Sequence, residues 1–279
     1  MKYHKAKIVV FTFVFPILLY AKVERSWEKL YNASGDYRDC SYGVIVDKAG
    51  YIYVTGQGYG KHTQCDFTTI KYAPNGDVIW MRVYNSPEDG YDKPYAITVD
   101  DSGYVYITGC GWGGEATFED IVTIKYSQNG DEVWRRIYDG PAKDFDCPYD
   151  IVVDNNYNVY VAGESYGGED TFEDIVTIKY DQYGNEIWVE RYDGPDRDYD
   201  YPTRLIVDDN FNVYVTGLSY NLDTDEDFVT VKYTQVEELR KYQERQRTIQ
   251  EVMRLAEEKE KEKERRGFFS LFKRRAKKG

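Results

Sequence analysis

The stretches VTIKYSQNGDEVWRRIYDG at residues 122–140 and VTIKYDQYGNEIWVERYDG at residues 176–194 match each other at a constant offset of 54 residues. The same frame extends in both directions and superposes one glycine and one tyrosine from each of four copies. These residues are Gly56, Gly109, Gly163 and Gly217, and Tyr72, Tyr126, Tyr180 and Tyr233. Self-similarity at a period near 50 residues is typical of propellers and solenoids. The sequence therefore predicts four copies of one structural unit.

Each copy contains four short segments of alternating or β-branched residues. In the second copy they are AITVD (96–100), YVYITG (104–109), DIVTIKY (120–126) and EVWRRIYD (132–139). Turn-forming runs such as DDSG and SQNG join the first segment to the second and the third to the fourth, as in β-hairpins. Repeated four-stranded units predict the blades of a β-propeller, and a solenoid is the alternative fold.

An additional fourth strand precedes the first complete copy. Trp27 and Tyr31 stand 53 residues before Trp80 and Tyr84, whereas the last copy stops after its third strand at Tyr233. An N-terminal strand that completes the last blade would close the ring and leave no open sheet edge. We therefore expect an all-β domain at residues 26–233, with four blades and a ring closed by the N-terminal strand. A dimer of two half-rings is the competing arrangement.

The repeat pattern DxxGxVYVTG, followed by DFxTIKYxxNGxxxW and RYDGP, resembles that of the SBBP proteins, a family of exported bacterial proteins named for a seven-bladed β-propeller. The resemblance covers about residues 27–233, where this chain has four copies rather than seven. It implies the propeller fold. It implies little about function, because the members of the family are mostly uncharacterised.

The two ends of the chain differ from the repeats. Three lysines and an apolar run that ends at Ala21 predict a signal peptide at residues 1–21, with an uncleaved anchor as the alternative. We therefore expect export to the periplasm, the cell envelope or the medium. Residues 234–266 predict a charged amphipathic helix, suited to a coiled coil and homo-oligomer formation or to docking on the propeller. The basic, hydrophobic tail at 267–279 predicts contact with an anionic membrane surface.

Composition excludes two classes of protein. Aromatic residues make up 16% of the chain, including 29 tyrosines, which excludes disorder over most of its length. The formal net charge is -13, and residues 27–233 alone carry -23 because both ends are basic. So acidic a domain would repel phosphates, so we do not expect a nucleic acid partner. Cations, basic proteins and neutral glycans remain compatible with this charge.

Two repeated sets of residues lie on the face of the ring where the longer loops meet. The first set comprises aspartates near the start of each innermost strand: Asp39, Asp92, Asp146 and Asp200. A ring of carboxylates would suit a hard cation such as Ca²⁺, which is the only cofactor that the sequence suggests. The alternative is that each aspartate accepts hydrogen bonds from turn amides.

The second set comprises aromatic residues three positions after each repeat glycine: Tyr59, Trp112, Tyr166 and Tyr220. Exposed aromatic rings beside carboxylates are typical of sites for sugars or cationic ligands. These residues therefore form the predicted ligand face, for a protein or a glycan. The alternative is that the rings are buried between blades.

The four cysteines allow three pairings. Export would permit disulfides, and we expect Cys65 with Cys110 across adjacent blades. Pairing of Cys40 with Cys147 would require a narrow channel. A zinc site is disfavoured because the chain has no C-x-x-C pair.

No motif assigns a catalytic residue. The chain lacks GxSxG and Walker A sequences, and His62 is the only histidine after the signal segment. The sequence therefore favours a non-enzymatic binding or scaffold module. One alternative is a carbohydrate-active enzyme, a glycosidase or lyase that uses carboxylates of the loop face. A purely structural envelope protein is the other.

Overall fold

The computed structural model describes residues 24–34, 37–168 and 171–275. They form four antiparallel sheets and one C-terminal helix, and the strands of every sheet pair in chain order. The first two blades consist of β1 (Cys40–Val46), β2 (Ile52–Tyr59), β3 (Cys65–Tyr72) and β4 (Val78–Tyr84), then β5 (Lys93–Val99), β6 (Val105–Gly114), β7 (Phe118–Tyr126) and β8 (Glu132–Tyr138). The prediction of four consecutive blades is confirmed.

The other two blades continue the same pattern. The third blade consists of β9 (Asp146–Val153), β10 (Val159–Tyr166), β11 (Glu173–Tyr180) and β12 (Glu186–Tyr192). The fourth consists of β13 (Asp200–Val207), β14 (Val213–Asn221) and β15 (Asp225–Tyr233), and α1 (Val236–Arg275) follows it. The fourth sheet therefore has three strands where the others have four.

An aspartate organises the first hairpin of each blade. In the second blade, Asp100 Oδ1 accepts hydrogen bonds from the backbone N–H groups of Ser102 and Tyr104, both at 2.9 Å. The hydroxyl of Tyr106 donates to Asp100 Oδ2 at 2.8 Å. Equivalent tyrosines donate to equivalent aspartates in the other three blades. The repeated tyrosines therefore hold the turns as well as fill the core.

A tryptophan of each outer strand holds the next blade. Trp80 Nε1 donates to the Gln128 carbonyl at 3.0 Å, and Trp134 Nε1 donates to the Gln182 carbonyl at 3.2 Å. The Trp80 ring lies on Gly130, where an added Cβ would be 2.8 Å from Trp80 Cδ2. A positive φ of 83° at Gly130 also favours glycine. This explains why the turns between the third and fourth strands of the blades keep their glycine.

The blades form an arc with their first strands on the inside. β1 packs against β5, β5 against β9, and β9 against β13. Three buried hydrophobic clusters lie between successive blades. Among the described residues no fourth cluster joins the last blade to the first. The interfaces between blades are therefore built three times, and one potential interface is left as two open faces.

The predicted closing strand does not pair with the fourth blade in the described part of the chain. Residues Trp27–Tyr31 have no strand conformation, and β15 has no outer neighbour. Trp27 instead lies on the first blade, where Nε1 donates to the Pro74 carbonyl at 3.1 Å. This is the contact that Trp80 and Trp134 make with the blades that follow them. The segment thus has the position of an outer strand relative to the first blade, without a sheet of its own.

A glutamine completes the fourth blade where its last hairpin is missing. Gln235 Oε1 accepts hydrogen bonds from Lys179 Nζ at 2.6 Å and Trp188 Nε1 at 3.2 Å. In the preceding blades the same lysine and tryptophan positions bond to a backbone carbonyl. Tyr242 then packs on Phe211 with ring centroids 5.1 Å apart. These contacts fix the start of α1 to the propeller.

The helix is longer than predicted. It continues through Gly267 to Arg275, because one glycine costs only about 1 kcal/mol in a helix and no proline follows it.

The side chains of residues 264–275 and the signal segment at 1–21 lie outside the described residues, so tail contact with membranes and export stay predictions. Ile249 and Met253 on the predicted apolar stripe are exposed, and association through the helix stays a prediction too. None of the helical residues described is part of a segment long and apolar enough to cross a bilayer.

The predicted disulfide is wrong. Cys110 pairs with Cys147, with Cα atoms 5.1 Å apart, while Cys40 and Cys65 are free thiols. The innermost strand of each blade lies beside the second strand of the preceding blade, which brings Cys147 to Cys110. Cys65 opens a third strand, and its thiol is near Tyr59 instead. The pairing therefore joins the second and third blades.

Candidate functional site

The four predicted metal-binding aspartates act as turn acceptors. Asp92 and Asp200 accept backbone N–H groups of Ser86 and Gly194, both at 2.6 Å. Asp39 and Asp146 accept the equivalent N–H groups of Ala33 and Gly140. In every case the donor lies six residues earlier, in the link from the preceding blade. The alternative given from sequence, an amide-binding aspartate, thus describes their contacts.

No carboxylate cluster in the described part of the chain contains two of these aspartates. Among the described residues, groups with carboxylate oxygens within 4.8 Å of one another each contain one member of the set: Asp120, Asp139 and Asp146; and Asp174, Asp193 and Asp200. Burial raises the pKa of Asp120 to about 7 and that of Asp146 to about 6. Oxygen donors of this kind suit a hard cation, so the Ca²⁺ prediction would apply to single junctions between blades.

The predicted ligand face is half-buried. Tyr59, Trp112, Tyr166 and Tyr220 are neither fully exposed nor enclosed between blades. The backbone N–H of Trp112 donates to Asp92 Oδ1 at 2.9 Å, and that of Tyr59 donates to Asp39 Oδ1 at 3.1 Å. The two predicted sets are therefore adjacent in the first two blades. Only Trp112 lines a described pocket, and that pocket also contains Asp120.

A row of tyrosines crosses the inner side of the arc. Tyr42, Tyr95 and Tyr149 occupy equivalent positions on β1, β5 and β9. Their ring centroids are 6.3 Å and 5.8 Å apart in succession. Lys93 Nζ lies 4.4 Å from the Tyr95 ring centroid and 5.1 Å from that of Tyr42. The inner surface is thus aromatic, with polar hydroxyls and one ammonium group.

A buried glutamate lies at one end of this row. Glu164 on β10 is only 5% exposed, and burial raises its pKa to about 7. The Tyr149 hydroxyl donates to Glu164 Oε2 at 3.1 Å. That hydrogen bond favours the ionised form, but desolvation outweighs it. Near neutral pH, Glu164 is therefore a carboxyl group with a proton available for transfer.

Two further glutamates act on Glu164 through their charges. The negative charges of Glu173 and Glu119 both add to the rise in the pKa of Glu164. Burial also raises the pKa of Glu119, and the positive charge of Lys93 acts against that rise. The three carboxyl groups therefore differ in their surroundings, because only Glu119 has a nearby ammonium. Such differences separate the acid from the base in hydrolytic sites.

Sequence reasoning missed Glu164 because it followed the repeated positions, and the equivalents of Glu164 are Gln57, Cys110 and Leu218. Glu119 and Glu173 share one repeat position with Cys65 and Glu226, which was passed over although three copies have a glutamate there. A position that varies among copies contributes nothing to the common blade. The feature of the sequence that could have indicated Glu164 is its charge, at a position that varies among the copies and directly follows the repeat glycine Gly163.

The sequence matches no family model and no curated protein, so membership of the SBBP family stays a prediction. Among solved structures, the chain is similar to an α-L-arabinanase from Penicillium chrysogenum complexed with arabinobiose, at 12% identity and a TM-score of 0.47, over 68% of this chain and 60% of that one. It is also similar to the α-L-arabinofuranosidase Arb93A from Fusarium graminearum, at 11% identity and a TM-score of 0.46, over 72% of this chain and 64% of that one.

An endo-arabinase from Bacteroides thetaiotaomicron gives 11% identity and a TM-score of 0.40, over 69% of this chain and 74% of that one. These neighbours are named as carbohydrate-active enzymes, in agreement with the enzymatic alternative and not with the non-enzymatic module expected from the sequence. The likeness is one of fold, and the chain spans less than two thirds of the first two proteins. Any activity of this chain therefore has to be inferred from its own side chains.

Proposed function

We propose that the protein is a carbohydrate-active hydrolase whose site is the inner surface around Glu164. The observation that supports this is a buried carboxyl group with a pKa near 7, beside a second carboxylate and an aromatic row. A general acid works best when its pKa lies near the working pH. Tyrosine rings with polar hydroxyls suit the alternating apolar and hydroxylated faces of a sugar.

The carboxyl groups have different roles in this proposal. Glu164 donates its proton to the glycosidic oxygen as the bond between that oxygen and the anomeric carbon breaks. Glu119 acts as the ionised partner, because Lys93 stabilises its negative charge. It takes the proton of the water that attacks the anomeric carbon, so that one glycosidic bond is replaced by two hydroxyl groups. Glu173 keeps Glu164 protonated through its own charge.

Charge narrows the class of substrate. Residues 27–233 carry a formal charge of -23, and acidic polysaccharides would be repelled by that field. The tyrosine row extends across three blades, over Tyr42, Tyr95 and Tyr149. A surface of that extent suits several sugar units in line. A neutral oligosaccharide or polysaccharide is therefore the proposed substrate.

The test uses the full chain and a panel of neutral polysaccharides, with release of reducing ends as the measurement. Wild type is expected to hydrolyse at least one member, and Glu164→Gln is expected to lose on the order of 10²-fold or more in rate. Glu226→Gln is the matched control, because Glu226 holds the repeat position of Glu173 but is exposed in the fourth blade. Release of reducing ends that Glu164→Gln leaves unchanged would refute the assignment. No hydrolysis of any panel member would refute the activity.

The closed ring belongs to the same proposal, with the closing strand supplied by a second copy. The open face of the fourth blade exposes Phe228 at 87%, whereas the equivalent Ile121 and Ile175 are fully buried against the blades that follow them. The open face of the first blade exposes Val44 at 68%, whereas its equivalents Ile151 and Leu205 are 3% and 2% exposed. The two ends are therefore the two halves of an interface that the chain builds three times.

Residues Trp27–Tyr31 then complete the sheet of β15 in the partner. Two such contacts between two chains would give a closed ring of eight blades without an open edge. Sedimentation should show two chains for wild type, one for Phe228→Glu, and two for Val133→Glu, which changes an exposed residue outside the end faces. A wild-type protein that sediments as one chain would overturn closure by a second copy.

A further inference from the structure

A pocket of about 200 Å³ opens between the outer part of the first blade and the second blade. Tyr84, Trp112, Asp120 and Ile137 line it, together with the backbone around Gly111. Asp120 is 6% exposed, and its Oδ1 atom accepts no hydrogen bond from the described residues. The carboxylate has one described donor, Thr117 Oγ1 at 3.3 Å from Oδ2, and the equivalent Asp174 Oδ1 in the third blade likewise has none.

The third blade shows what fits the same place. There Arg191 Nε and Nη2 donate to Asp174 Oδ2 at 3.0 Å and 2.7 Å. Arg191 Nη1 donates to Ser165 Oγ at 2.6 Å, and Nη2 donates to the Ser165 carbonyl at 2.7 Å. Tyr138 accepts a longer hydrogen bond from Nη1, at 3.4 Å. In the third blade, one guanidinium group thus lies among the side chains of Asp174, Ser165 and Tyr138.

The second blade has the same carboxylate and tyrosine as the third blade but no arginine. Asp120 and Tyr84 stand 54 residues before Asp174 and Tyr138, so the carboxylate and the tyrosine are both retained. Ile137 stands in place of Arg191, and Gly111 stands in place of Ser165, so the guanidinium and the serine side chain are both missing. The space that the guanidinium and the serine fill in the third blade is the pocket of the second blade.

We infer that this pocket binds the guanidinium group of an external ligand, such as an arginine side chain. Asp120 receives the N–H donors, as Asp174 does for Arg191, and the guanidinium stacks on Trp112, which also lines the pocket. Glu88 also lines the pocket and adds negative charge. Lys143 bonds to Asp139 at 3.1 Å, and its positive charge also lowers the pKa of Asp120, but it does not line the pocket. This inference does not rest on the proposed hydrolase activity.

The test is a titration of the full chain with L-arginine amide, in which isothermal titration calorimetry measures the binding. Binding on the order of 1 mM is expected for one small cation. Citrulline amide, which has the same shape without the charge, should not bind, and Asp120→Asn should weaken arginine amide by about tenfold or more. An arginine-containing peptide that binds more tightly than the amide would identify a protein as the source of the group.

A second variant supplies the cation from within. Ile137→Arg, the filled variant, restores the guanidinium of the third blade and should abolish binding of arginine amide. Gly111 is kept, because a Cβ there would lie 2.5 Å from Val122 Cγ2. Val133→Arg, on the same strand at an exposed position, is the control and should bind normally. Equal binding by the filled variant and wild type would overturn the inference. So would a requirement for Asp120 in Ca²⁺ binding with no response to arginine amide.

Discussion

Two kinds of buried carboxylate occur in this protein, and they differ in what surrounds them. Asp92 is fully buried and accepts two backbone N–H groups, those of Ser86 at 2.6 Å and Trp112 at 2.9 Å. Glu164 is almost as buried, but among the described residues the hydrogen bond given to its carboxyl group is that of the Tyr149 hydroxyl. The first recurs in every blade and the second occurs once. The comparison shows that repeated positions maintain the blade, while the positions where copies differ are available for chemistry.

The largest expected effect is on the repeated carboxylate. Asp92→Ala leaves two buried N–H groups without an acceptor, and each orphaned group costs roughly 1–3 kcal/mol. We therefore expect a loss of about 3 kcal/mol in the free energy of unfolding, measured by urea denaturation. Asp101→Ala removes only an exposed ion pair with Lys48 and should change stability by less than about 0.5 kcal/mol. Equal effects of the two variants would contradict the structural role of Asp92.

Glu164, whose position varies among the copies, should have the opposite effect on the free energy of unfolding at alkaline pH. Because the pKa of Glu164 is raised in the folded state, the folded protein holds its proton more tightly than the unfolded chain does. The stability linked to this group is full below the unfolded pKa and is lost as the pH rises through about 7. Glu164→Gln should remove this loss and be more stable than wild type at pH 8, on the order of 2 kcal/mol.

Urea denaturation at pH 5 and pH 8 measures that difference. Wild type should lose more stability between the two values than Glu164→Gln does, while Glu226→Gln should follow wild type. If Glu164→Gln were less stable than wild type at pH 8, the carboxylate would be stabilising and the account of its burial would fail.

The smallest effect is expected at the hydrogen-bond donor of Glu164. Tyr149→Phe removes a hydroxyl that favours the ionised glutamate, so the pKa of Glu164 should rise. The alkaline limit of hydrolysis should then move up by about half a pH unit, without loss of the fold. Tyr95→Phe, one position along the row, is the control and should leave that limit in place. A downward shift for Tyr149→Phe would contradict the assigned hydrogen bond.

The sequence predicted those parts of the fold that repeat. The same local sequence pattern recurs in every copy. It predicts the 54-residue period, the hairpins around residues such as Asp100 and the four blades. The disulfide could not be predicted, because the neighbour of Cys110 depends on how the innermost strand of the next blade lies against it. The state of the ring could not be predicted either, since pairing of β15 depends on distant chain geometry or on a second chain.

The candidate site was predicted only in its class. Carboxylates of the loop face were named as the enzymatic alternative, but the aspartates chosen were repeated ones whose backbone partners the sequence does not display. Glu164 and Lys93 come near each other only in the folded chain, where Tyr95 on β5 contacts Tyr149 on β9, and Tyr149 donates to Glu164 on β10. Trp112 is an intermediate case, because it was singled out as a repeated aromatic and its pocket exists through the loss of an arginine at Ile137.

The central claim is that Glu164 is a proton donor held neutral by burial. The most direct measurement is the pH dependence of the hydrolysis rate on a neutral polysaccharide, for wild type and for Glu164→Gln. The account predicts that the rate of wild type falls as the pH rises above about 7 and that Glu164→Gln is slower by on the order of 10²-fold and lacks this limb. A Glu164→Gln protein that retains both the rate and the alkaline limb of wild type would contradict it.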